Sequence, residues 1–137
     1  MFFKLPKYIA LRSWSNVQYA YYIKDYSYAK PLTLKQAQVM LLCDGEHDIE
    51  IDDTVINLSL RNLIVSCEKG DHPSEWSSYK KYDNLYFPKM NLMITGKCNY
   101  NCLHCFNAAD NAPLMTEWKF EELCDLFDQA KDCGIHD

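Results

Sequence analysis

Three cysteines, Cys98, Cys102 and Cys105, crowd into one short stretch of a 137-residue chain that holds only four glycines. Sulfurs spaced four and then three residues apart on one loop can turn toward a common point, as ligation of zinc or an iron–sulfur cluster requires. The flanks predict the setting of that loop. Residues 90–95, apolar on both alternate faces, read as a buried strand. Beyond the loop, Thr116 is the expected N-cap of a helix in which Phe120, Leu123, Cys124, Phe127 and Ala130 recur at helical spacing. Gly134 is expected to end it, with Cys124 a core residue on its apolar face. A new strand should begin at 135–137. Strand, loop, helix and strand make one βα unit of a parallel sheet or barrel. The loop then lies beyond a strand's C-terminal end, where such folds keep their active sites.

Three thiolates leave one coordination position open, which is what catalysis needs, whereas a structural zinc site is closed by four ligands. A zinc site would therefore need a fourth donor. His104 adjoins Cys105 in the chain and would strain the loop by chelating beside it, which leaves Cys124 or Cys133. Seven cysteines, an odd number, favour metal or redox use over a disulfide framework. The N-terminus breaks its apolar stretch at Lys4 and Pro6, so no signal peptide is expected and the reading is cytoplasmic. The longest apolar runs, 19–23 and 39–43, are too short to cross a membrane. A net charge of −5 speaks against broad nucleic-acid binding, which needs a basic face, and favours a peptide or small-molecule partner.

The first half reads as a separate α+β unit. Residues 8–14 and 17–29 are rich in Tyr, Ile, Val and Trp and predict short antiparallel strands, interrupted at 15–16 and 24–27. Thr33 with Gln36 three residues later is a capping box, opening a helix with its apolar face at Leu34, Ala37, Met40 and Leu41; Leu32 can staple onto Ala37, and Gly45 stops the helix. Residues 44–53 are mostly acidic. They do not form a calcium loop, because Ile49 stands where the turn needs Gly and Val55 where the loop needs Glu, so they read as a solvated turn. Asp53 is the expected cap of a second helix carrying Val55, Ile56 and Leu60 and ended by Asn62, and 63–67 returns as a strand. Hairpin, helix, helix and strand sketch a winged-helix-like module over residues 1–68. Residues 69–89, polar and marked by Gly and Pro, read as a linker whose Trp76, Tyr79, Tyr82, Tyr86 and Phe87 pack on a flanking unit.

The Cys98–Cys102–Cys105 spacing, with an aromatic-type His104 before the last cysteine, resembles the radical S-adenosylmethionine (SAM) enzymes. The resemblance covers residues 90–137, as the start of an α/β barrel. It implies that the three cysteines hold a 4Fe–4S cluster and that SAM chelates the fourth iron. It further implies that His104 lies against the adenine, and that an electron from a low-potential donor cleaves SAM to a 5′-deoxyadenosyl radical that abstracts hydrogen from the substrate. A glycine-rich SAM-binding motif is expected on the next strand, so the chain reads as the front of a longer enzyme. The N-terminal module resembles the PqqD-like domains fused to radical SAM enzymes that modify ribosomally made peptides, on residues 41–45 and 61–67. That implies a leader peptide adding as a strand along Asp25, Tyr26, Ser27, Tyr28, Ala29 and Lys30. Two other readings stay open: a radical SAM enzyme acting on a non-peptide substrate, and a small zinc-binding interaction module.

Overall fold

The computed structural model describes residues 1–26, 28–97, 103–104 and 117–135. They form a small mixed α+β fold with three helices and two sheets. At its centre is the hairpin of β2 (Ile9–Trp14) and β3 (Val17–Ile23), which turns at Ser15 and Asn16 and pairs Ile9 with Ile23 and Leu11 with Tyr21. Every residue of β2 is buried, because the hairpin is covered on both faces.

Alternation along the strands sends Ile9, Leu11 and Tyr21 to one face and Ala10, Trp14, Ala20 and Tyr22 to the other. The first face packs against α1 (Leu34–Leu42) and α2 (Asp53–Leu60) through Met40, Cys43, Val55 and Leu58. On the second face lie Trp76, Tyr82 and Tyr86, so the stretch 69–89 is bound to the hairpin rather than spanning open space.

The hairpin's edges are met by two-residue strands. β4 (Lys30–Pro31) runs antiparallel to β3, and β6 (Lys80–Lys81) runs parallel to β2. A separate pair joins β1 (Phe3–Lys4) to β5 (Val65–Ser66). The strand expected over 63–67 is thus reduced to its Val65–Ser66 middle.

The helices keep their expected starts more closely than their expected faces. Thr33 caps α1 with the predicted reciprocal bonds, Gln36 N donating to Thr33 Oγ1 and Thr33 N to Gln36 Oε1. Its buried residues are Ala37 and Met40, whereas Leu34 and Leu41 are exposed. α2 is capped by Asp52 rather than Asp53: Asp52 Oδ1 accepts from Thr54 N at 2.8 Å and Val55 N at 2.9 Å. Asp53 instead sits in the first turn, where a negative charge suits the helix's positive end. Val55 and Leu58 are buried, while the expected Ile56 and Leu60 face solvent. Helices this short meet the rest of the chain along a single stripe, and the partner elements choose which. Asn62, at φ +55°, ends α2 as expected.

Residues 90–95 are not a strand, and Ile94 is 56% exposed. A parallel strand needs neighbours to take its backbone groups, and no strand lies beside this stretch among the described residues. Two of its carbonyls are taken by Trp118 instead, whose indole N–H donates to Met93 O and whose backbone N–H donates to Ile94 O. The helix beyond, α3 (Phe120–Asp132), has Lys119 at its N-cap and not Thr116, with Glu122 Oε2 accepting from Lys119 N. Gly134, at φ +76°, follows its end. Among the described residues, no helix is long and apolar enough to cross a membrane.

Candidate functional site

Cys98, Cys102 and Cys105 lie outside the described residues, but the two roots of the loop that carries them are visible and they meet. Trp118 binds the backbone at Met93 and Ile94, Lys97 Nζ lies 3.3 Å from Glu117 Oε1, and Thr95 Oγ1 donates to Glu117. Residues 95–97 and 117–118 are therefore clasped at one neck. Closing a loop at its base removes the closure part of the chain entropy that ligands on it must surrender on converging. His104 is exposed.

The remaining cysteines divide by environment. Ligation needs a thiolate. Cys43 is buried under the helices with its Sγ against Val39 O, and burial pushes its thiol up to about 12. Burial also raises Cys67, helped by the nearby Asp71 carboxylate. Both are held as thiols at neutral pH. Cys124 was expected in the core, yet it is exposed on α3, because that helix touches the N-terminal unit at its end and not along its length. Cys133 is half-buried, with its carbonyl accepting from Trp14 Nε1 and Asn84 Nδ2, both at 3.1 Å. Among the described residues no group of His, Cys, Asp or Glu side chains is arranged to hold a metal ion.

The expected peptide strip is mostly a turn. Asp25 takes φ +70°, Tyr26 N donates back to Ile23 O, and Ala29 N donates to Tyr86 Oη at 2.8 Å. Ser27 lies outside the described residues. Only Lys30 belongs to a strand, and its ammonium sits 5.9 Å from the centre of the Tyr26 ring. Tyr26 and Tyr28 are exposed, so this corner offers two aromatic rings and a cation beside a sheet edge.

One feature of the site region could have been read from β2 itself. Arg12 sits inside an apolar run and is 5% exposed, its guanidinium donating to the carbonyls of Leu11, Trp76 and Ser78. A charged residue in a strand buried on both faces signals that something polar must meet it there.

Burial works to raise the Asp44 carboxyl, but the backbone N–H groups of Glu46 and His47 and the His47 ring outweigh it and hold the group at about 2. A carboxylate below its ordinary value stabilises the fold above that value, and the contribution disappears as pH falls from about 4 through about 2. Because Asp44 is partly solvated, the effect should stay under about 1 kcal/mol. Asp44→Asn should flatten the acid limb of a urea-midpoint-against-pH curve in that window; an unchanged limb would assign the acid sensitivity to other carboxylates.

Comparison with protein-family models, with curated proteins and with solved structures gives no match.

Proposed function

We propose that the chain carries the cluster-binding segment of a cytoplasmic radical SAM enzyme that modifies a ribosomally made peptide. The observation that carries the reading is the Cys98, Cys102 and Cys105 spacing, on a loop whose roots are clasped between Thr95, Lys97, Glu117 and Trp118. The donor set fits a 4Fe–4S cluster: three thiolates hold three irons and leave one for SAM, while Cys43 is buried in the core of the N-terminal unit. When bound, the cluster supplies one-electron reduction of SAM, and with it the power to take a hydrogen atom from an unactivated carbon. The chain's own part is to present the three thiolates and, through His104, to pack against the adenine.

The N-terminal unit is read as the winged-helix-like, PqqD-like module that brings the substrate. Hairpin, α1, α2 and β5 follow the expected order, with β5 paired to β1. The leader would lie along the β4 edge at Lys30, beside the exposed Tyr26 and Tyr28.

A second reading draws on the exposure of Cys124, which leaves a fourth thiolate available for a closed zinc site. Two variants separate the readings. After anaerobic reconstitution the chain should be brown with about four irons; Cys102→Ala should lose nearly all of the iron, and Cys124→Ala should keep it. A colourless protein holding one zinc, lost equally in Cys102→Ala and Cys124→Ala, would establish the zinc module and end the radical SAM reading.

A further inference from the structure

Between the second face of the hairpin and the end of α3 is a cavity of about 120 Å³, the space of about four waters. Arg12, Lys80 and Lys131 line it together with Tyr22, Trp76 and Tyr82, and it closes against Gly134 and Ile135. Three cationic residues thus line one cavity in a chain whose net charge is −5, and no carboxylate lines it among the described residues. The buried Arg12 has no ion-pair partner among those residues either. Backbone carbonyls fix its plane but carry no charge, and a desolvated cation left without an anion is costly. Lys80 and Lys131 are exposed and stand at the mouth, while Arg12 forms the inner wall. The volume admits a carboxylate or phosphate group.

We propose that this cavity binds a small oxyanion, the carboxylate or phosphate group of a free metabolite, seated on Arg12 and closed over by Lys80 and Lys131. Occupancy ties α3 to the hairpin, because Arg12 and Lys80 belong to β2 and β6 and Lys131 to the last turn of α3.

The test is a titration of the full chain with inorganic phosphate and, separately, with acetate, at ionic strength held constant with sodium chloride. It is followed by the Trp76 indole N–H resonance and by the melting temperature. At least one oxyanion should give a saturating shift together with a rise in melting temperature that chloride does not produce. Saturation by phosphate alone assigns the phosphate class, and saturation by acetate assigns the carboxylate class. Lys80→Met combined with Lys131→Met, both at exposed positions, should weaken that binding at least tenfold while leaving the far-ultraviolet circular dichroism unchanged. Shifts that stay linear for both anions, or an affinity the double variant leaves intact, would overturn the proposal.

Discussion

Trp14→Ala should cost about 3–5 kcal/mol of folding stability, read as a large fall in the urea midpoint. Trp14 is 3% exposed and is the hub of the second face. Its ring meets Tyr22 edge-on at 5.8 Å, stacks on Tyr82 at 5.5 Å and tilts against Tyr86 at 4.7 Å, while its indole N–H reaches the Cys133 carbonyl. Alanine removes the packing and the bond to α3 together. Trp14→Phe retains most of the aromatic contact and removes the N–H, so it should cost about 1–2 kcal/mol and selectively raise amide exchange at the end of α3. Equal losses in the two variants would show that the indole bond, and not the packing, dominates.

Gly45→Ala should be nearly as damaging, at about 3 kcal/mol or more. Gly45 holds φ +83°, and a Cβ placed on it would stand 2.4 Å from the Asp71 carbonyl oxygen and 2.8 Å from its carbon. Both are backbone atoms and cannot swing aside. Gly45 also donates to Phe3 O and accepts from Gly70 N, so a shift there loosens the N-terminal strand and the 70–72 stretch at once. Gly70→Ala is the control. Gly70 has φ +88°, but a Cβ there meets only the far end of Glu46 at 3.9 Å, so the conformational cost of about 1–2 kcal/mol should stand alone. Similar melting temperatures for the two variants would show that the Asp71 carbonyl yields.

What could be read from the residues was local. The hairpin shows in the alternation of Ile9 and Leu11 opposite Tyr21 and Ile23, and α1 in the reciprocal Thr33 and Gln36 side chains, because those signals lie within a few positions of each other. Helix faces were harder. Leu34, Leu41, Ile56 and Leu60 are as apolar as the residues that are buried, and only the placement of β3 and the neighbouring helix decides between them. β6 carries no side-chain signal: two exposed lysines join β2 through their backbones alone. Residues 90–95 have the apolar run of a buried strand, but pairing depends on a neighbour that the pattern cannot supply. Of the candidate site, the cysteine spacing is a local pattern that the sequence states directly, while the placement of Cys98, Cys102 and Cys105 lies outside the described residues. Arg12 was passed over because its partners, the carbonyls at 76 and 78, are distant in the chain.

The parallel pairing of β6 with β2, Arg12 opposite Lys80, also governs the order in which a growing chain can fold. The hairpin and α1 are local and form as soon as they emerge, while β1 waits for Val65 and Ser66. The second face of the hairpin waits longer. Trp14 and Tyr22 stay bare until Trp76, Tyr82 and Tyr86 have been made, on the order of several seconds later at ordinary synthesis rates. During that interval the nascent chain presents an aromatic surface and an unpaired β2 edge together, the combination that recruits other chains most readily. Production at lower temperature or with abundant chaperone should therefore raise the yield of native protein more than any change at the cysteine loop.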